Sequence, residues 1–371
     1  MTHGESNDTT SSQFPERIGL LTGGGDAPGL NAVIRAVVRS AALCNCACIG
    51  IEESFNGLMH SGRTRELTLD DVVGLERIGG TVLGTSNRGV PFAYLVQGTP
   101  DLNDFSSACL GTFQKLELQA LVVVGGDGTL DIAYKFHQLG MPIVGVPKTI
   151  DNDIVGTNST FGFDTAVSFA TESIDRLHTT AQAHSRVMVV EVMGRHSGWI
   201  ALHAGVAGGA DVILIPEVEF DLDRVADAIR KREERGRRSS IVVVAEGAVT
   251  KGGSAVVLEE GTQGRLDRLG GIGVKVAEKL QVLTGKEARA VVLGHLQRGG
   301  APTSFDRVLA TRFGGKAFEL IQRRVFGVMV ANRPPNLVAV PLADVVGKTK
   351  HVPLDLDLVH TARGLGVSFG D

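Results

Sequence analysis

Aromatic residues are scarce: the chain has one Trp and two Tyr among 371 residues, against 48 glycines. Recognition surfaces built on Tyr and Trp are therefore not expected, and the glycine content fits an enzyme with many tight turns. Cysteine is also sparse. Cys44, Cys46 and Cys48 alternate in CNCAC, and Cys109 stands alone. Zinc sites use C-x-x-C pairs, which are absent, so the spacing reads as reduced thiols on one face of a strand. No apolar run is long enough to span a bilayer. The opening MTHGESNDTTSSQ is polar and has no signal-peptide core, so a cytoplasmic protein is expected. A formal net charge of −4 gives no electrostatic reason to expect nucleic acid or an anionic membrane as partner.

What is present points to sizeable cores. The hydrophobic fraction is 43%, which excludes a mostly disordered chain, and the length suggests two packed lobes. Continuous Val/Ile/Leu-rich stretches recur at Ile18 to Thr22, Leu118 to Val124, Pro142 to Val146, Arg186 to Met193, Asp211 to Ile215, Ile241 to Ala245 and Ala288 to Leu293. Such runs suit parallel strands covered on both faces, and helical patterns follow several of them. The expected fold is α/β, with two doubly wound lobes and mainly parallel sheets. Residues 1–15 are expected to form a flexible arm. One lobe is placed at 16–160, rejoined by about 295–340, and the second at 161–294, with 341–371 as a C-terminal extension. Thr250 to Glu287 reads as an elaboration on the second lobe.

Open α/β sheets bind ligands beyond the carboxyl ends of their strands, and three such ends carry unusual loops. Gly23-Gly24-Gly25-Asp26-Ala27-Pro28-Gly29 offers bare backbone N–H groups ahead of a helix N-terminus. Glycine-rich turns also simply make tight corners, so this loop alone is weak. Gly125-Gly126-Asp127-Gly128-Thr129 puts a carboxylate between glycines, a pattern able to hold Mg²⁺ beside nucleotide phosphates. GGDGT occurs in NAD kinases and diacylglycerol kinases too, so it indicates nucleotide phosphate without naming a substrate. Pro147-Lys148-Thr149-Ile150-Asp151-Asn152-Asp153 sets two carboxylates two residues apart. Phosphoryl transfer needs charge neutralisation and an acceptor for the hydroxyl proton, which two acids can divide. Asp and Asn there also serve Asx turns.

Together, LTGGGDAPGLNAVIRAVV, GGDGT, PKTIDND, TFGFDTA, EVMGR, IPEVEF and LGHLQRGG resemble the 6-phosphofructokinase family, in family order from about Ile18 to Phe326. The resemblance implies a kinase that moves the γ-phosphoryl group of ATP to the 1-hydroxyl of fructose 6-phosphate with Mg²⁺. It implies that Gly24, Gly25, Arg88, Gly126, Asp127, Gly128 and Thr129 hold the nucleotide. Asp127 and Asp153 are implied as metal ligands, and Asp151, with Thr149 and Arg195, as the catalytic set. Thr149, Ile150, Asp151, Met193, Gly194, Arg195, Glu246, His295 and Arg298 are implied at the sugar phosphate. Arg186 and Arg289 match arginines that reach into a neighbouring subunit's site, which implies a homotetramer with shared active sites.

Two positions bear on the phosphoryl donor. Lys148 resembles pyrophosphate-dependent relatives, whereas Gly128 stands where those relatives typically carry aspartate. Because an aspartate there would repel the α-phosphate, Gly128 favours ATP. The alternatives are a pyrophosphate-dependent enzyme on the same sugar and a non-catalytic regulatory subunit of this fold. The latter would be expected to have lost its acids, yet Asp127, Asp151 and Asp153 are all present. Arg35, Arg39, Glu217, Arg235, Arg237 and Arg238 resemble a regulatory pocket for a nucleoside diphosphate or phosphoenolpyruvate; equally, they read as a helix face and a solvated charge run.

Overall fold

The computed structural model describes residues 15–59, 63–86, 90–95, 102–259 and 268–371. The N-terminal arm, Arg88 and residues 260–267 of the expected elaboration lie outside them. Two sheets organise the chain. The larger has seven strands: β1 (Arg17–Thr22), β2 (Ala47–Ile51), β3 (Thr64–Leu67), β4 (Leu121–Gly125), β5 (Ile143–Pro147), then β10 (Val328–Arg333) and β11 (Asn336–Pro341) from late in the chain, with the sequence between supplying the second sheet. Its spatial order is β11-β10-β5-β4-β1-β2-β3, with β3 and β11 antiparallel at the two edges. The smaller sheet joins β6 (Val187–Val192), β7 (Val212–Leu214), β8 (Ser240–Ala245) and β9 (Ala288–Val292), all parallel, in the order β9-β6-β8-β7.

The central strands are buried along their whole length, because helices cover both faces. On the first sheet α1 (Leu30–Ala42) lies with α8 (Ser304–Gln322) on one face, while α2 (Ser106–Lys115) and α3 (Asp127–Gln138) lie on the other. The second sheet is covered by α4 (Phe163–His184) and α5 (Trp199–Ala207) on one face, and by α6 (Leu222–Glu234) and α7 (Ile272–Thr284) on the other. The Thr250 to Glu287 segment contains α7, which buries Ile272, Val276, Ala277 and Leu280. Cys44, Cys46 and Cys48 all turn toward one core, although β2 begins only at Ala47, and all four cysteines are free thiols. No helix among the described residues is long and apolar enough to cross a membrane.

The C-terminal stretch after Val340, which carried no sequence signal, crosses from one sheet to the other. Thr349 bridges Ile154 beside the first sheet, and Ser368 runs parallel to Val212 at the edge of the second. Val352, Val359 and Phe369 are fully enclosed in the second sheet's core. Burying each contributes roughly 1.5–3 kcal/mol, so the crossing is firmly docked. A second tie links α4 and α8. Thr303 caps α8, its hydroxyl donates to Asp164 (2.6 Å), and Asp306 accepts from the Thr165 N–H (2.8 Å) and hydroxyl (2.6 Å). The TFGFDTA motif therefore locks two helix N-termini together.

Candidate active site

The loops after β1, β4 and β5 emerge side by side, since these strands are neighbours in the first sheet. The helix α3 begins within GGDGT, at Asp127, with Gly126 at its N-cap. Asp127, Gly128 and Thr129 thus form the helix's first turn, where unpaired N–H groups and the helix dipole favour a phosphate. Asp127 and Gly128 are exposed, and a Cβ on Gly128 would meet nothing within 4 Å among the described residues. Thr129 instead packs beneath Gly23 and Gly125, so its place is inside the turn.

Lys148 leaves β5 buried and donates to the carbonyl of Gly25, tying the third loop to the first. Burial, then the Arg298 guanidinium, pushes the Lys148 ammonium down to about 8, against the opposing pull of Asp26, Asp151 and Asp127. Next along the loop, the Thr149 hydroxyl accepts the Asp151 N–H at 3.0 Å. Asp151 keeps some contact with solvent, yet its Oδ1 is sealed and has no partner among the described residues. Burial raises its pKa, Arg298 and Lys148 oppose that rise, and Asp127 adds to it. Asp153 is pushed up to about 7 by burial and by repulsion from Asp151 and Asp127. Ile150 is completely buried and anchors the loop in the second core.

The carboxyl ends of the second sheet supply the other wall. Met193, Gly194 and Arg195 follow β6, Glu246 follows β8, and His295 and Arg298 follow β9. Glu246 N–H donates to the Val192 carbonyl (2.8 Å), so the two loops sit together. Any Cβ at Gly247 would come within 1.9 Å of the Arg195 carbonyl, so only glycine allows that approach. Glu246 is pushed up to about 7 by burial, with Asp151 and Glu191 adding to the rise. Arg298 donates to the Asp26 carbonyl (3.1 Å) and lies against Gly25, so it spans the two sheets. His295 is exposed at the same edge.

Four carboxylates, Asp127, Asp151, Asp153 and Glu246, and two buried or half-buried cations, Lys148 and Arg298, therefore converge where the sheets meet. Among the described residues no three His, Cys, Asp or Glu side chains form a metal cage. The mutually repelling acids Asp127, Asp151 and Asp153 nonetheless suit a divalent cation that takes most of its ligands from phosphate oxygens.

Several expected residues lie elsewhere. Arg186 and Arg289 sit at the amino-terminal end of the second sheet, paired with Glu287 at 2.7 and 2.5 Å. A six-residue strand separates that end from the site by about 20 Å. Arg35 is paired with Glu76 (3.0 Å). Glu217 accepts backbone N–H groups from Gly198 (3.0 Å) and Val352 (2.8 Å), so in this chain it caps α5. One residue was missed altogether. Lys350, on the C-terminal crossing, donates to Asn152 Oδ1 (2.9 Å) between the two loop acids. Burial pushes it down to about 8, with Asp153 pulling the other way. Nothing in the local pattern of the C-terminal stretch marked it.

The chain matches a family model described as Phosphofructokinase over residues 17–321. It is 53% identical over 356 residues to a Chloroflexus aurantiacus protein named ATP-dependent 6-phosphofructokinase, covering 96% of this chain and 98% of that one. It is 49% identical over 342 residues to an Amycolatopsis mediterranei protein named pyrophosphate–fructose 6-phosphate 1-phosphotransferase, covering 91% and 97%. Among solved structures, Pichia pastoris phosphofructokinase in the T-state superposes with a TM-score of 0.78 at 33% identity, over 90% of this chain and 35% of the yeast one. With the carboxyl edges of both sheets converging on one cleft and the match running through nearly the whole chain, this protein belongs to the phosphofructokinase family.

Proposed function

We propose that the protein is an ATP-dependent 6-phosphofructokinase, transferring the γ-phosphoryl group of ATP to the 1-hydroxyl of fructose 6-phosphate. The observation that carries the reading is Asp151: a carboxylate with one sealed oxygen that has no partner among the described residues, held among Lys148, Arg298 and further acids. A carboxylate whose pKa burial raises is a stronger proton acceptor for an incoming hydroxyl, and Arg298 and Lys148 limit that rise.

In this reading the first sheet's lobe takes the nucleotide, on the first turn of α3 and the Gly24–Gly25 backbone. The second sheet's lobe takes the sugar, with Glu246 on its hydroxyls and His295 and Arg298 on its phosphate. Asp127 and Asp153 are the residues that would hold Mg²⁺, which when bound neutralises charge on the phosphates. Lys148 adds a positive charge beside the transferring group. The preference for ATP rests on glycine at 128 and on the ATP-dependent name of the 53% identical relative. Arg186 and Arg289, too distant to serve their own subunit's site, complete a neighbour's in a symmetric homo-oligomer, most simply a tetramer.

Replacing Asp151 by Ser tests the base. The kcat is expected to fall by roughly 10²–10⁴-fold. The KM for fructose 6-phosphate should change much less, since the basic groups on the second sheet still hold its phosphate. Near-normal turnover would remove Asp151 from the mechanism.

A further inference from the structure

The C-terminal crossing meets the transfer loop at one place. Thr349 pairs antiparallel with Ile154, and the Lys350 N–H donates to the Asp153 carbonyl at 2.7 Å. From there the Lys350 ammonium enters the loop's fold, donating to Asn152 Oδ1 (2.9 Å), the Thr157 carbonyl (3.1 Å) and the Asn158 carbonyl (3.2 Å). An ammonium has three donors and no acceptor, so all three are spent on the loop. None is left for substrate. The Lys350 Nζ also lies over the Trp199 ring, 5.3 Å from its centre, and Trp199 Nε1 donates to the Lys350 carbonyl at 2.9 Å.

Asn152 is the residue this anchor grips. It is buried and left-handed (φ 52°), standing between Asp151 and Asp153. Asn tolerates that conformation, but keeping it depends on surrounding contacts. Here Asn152 Oδ1 accepts from Lys350 and from the Thr160 N–H (3.2 Å). The dihedral angles of the middle residue fix the angle between its neighbours' side chains, so they set the directions of both acids. Without the ammonium, three oxygens would converge with no donor from residue 350, and the loop would relax. Through Trp199 and the Val352–Glu217 contact, the same segment is fastened to α5, downstream of Met193–Arg195.

We infer that Lys350 is a positioning residue for phosphoryl transfer: from outside the 17–321 family match, it holds Asn152 left-handed and thereby aims Asp151 and Asp153. It acts through the loop and touches neither substrate. The inference rests on the proposed role of Asp151, and its failure is separable from failure of that role.

The test is full-length Lys350→Met, assayed for kcat, both KM values and thermal midpoint, beside Lys350→Arg and Asn152→Ala. Small misplacement of a catalytic group costs up to about 100-fold, so Lys350→Met should lose about 10- to 100-fold in kcat with each KM within about threefold. Arg is planar and cannot reproduce a three-way ammonium anchor, so Lys350→Arg should fall between Lys350→Met and wild type. The Lys350→Met and Asn152→Ala double variant should be little slower than its slower parent, because both changes cut one linkage. A role confined to stability would lower the thermal midpoint and leave kcat of the folded enzyme untouched. Folded Lys350→Met with kcat within twofold of wild type overturns the inference, as do losses that simply multiply in the double variant. Should Lys350→Met fail to fold, full kcat in Lys350→Arg overturns it, and an intermediate kcat supports it. A large loss in Asp151→Ser alongside normal Lys350→Met would leave the proposed base standing and dismiss only the anchor.

Discussion

Asp151 and Asp306 each keep one sealed oxygen without a partner among the described residues, but their surroundings differ. Asp151 has Lys148 and Arg298 opposing its desolvation, and acids beside it. Around Asp306 the opposition comes from the Thr165 hydroxyl and N–H and the Gly162 backbone, with Asp164 adding repulsion. The first carboxylate faces cations and other acids of the site loops, whereas the second is a latch between helices. Burial pushes Asp306 from 3.8 to about 6. Between those values the folded state retains a proton that the unfolded state has released, so stability falls as pH rises through the window. The loss amounts to about 3 kcal/mol. Asp306→Asn preserves an acceptor for Thr165 and does not titrate. Its thermal midpoint relative to wild type should therefore climb from pH 4 to about 6.5 and then level off. A difference that stays constant across that range would show that Asp306 is not a buried titrating group.

At the scale of elements, what the sequence declares is what local composition controls. Runs such as LVVVG and SIVVVA are apolar on both faces, and they are the central parallel strands. Because glycines and acids follow these strands directly, the site loops could be read before any coordinates. Boundaries were less legible where two signals overlap. Gly126 is a poor helix former, and Gly128 more so inside a first turn, yet α3 begins at Asp127 because tertiary packing of Thr129, Leu130 and Ala133 outweighs propensity. Contacts made across the chain left no local trace. Thr165 meets Asp306 from 141 residues away, and Lys350 meets Asn152 from 198. A lysine in KTKHVP resembles any surface lysine until the backbone brings three oxygens around it. Glu217 is another such case, accepting the Gly198 N–H at the start of α5 from 19 residues away.

At the scale of the molecule, two sheets bring their carboxyl edges to one cleft, while Arg186 and Arg289 stand at the far end of the smaller sheet. One chain therefore cannot use both ends in a single reaction, and a symmetric assembly can. Mixing Arg289→Ala with Asp151→Ser chains under conditions of subunit exchange should restore part of the activity, since some sites then combine an intact base with an intact arginine. Exchange without any recovery would mean that each subunit completes its own site. Lys148 fits either phosphoryl donor, and the similar relatives carry both names. Glycine at 128 favours ATP, because an aspartate there would repel an α-phosphate. The decisive measurement is the steady-state rate of fructose 6-phosphate phosphorylation by the wild-type protein with Mg²⁺, compared between ATP and pyrophosphate. Turnover with ATP, and a rate with pyrophosphate lower by about 100-fold or more, is the predicted result; turnover with pyrophosphate and none with ATP would contradict it.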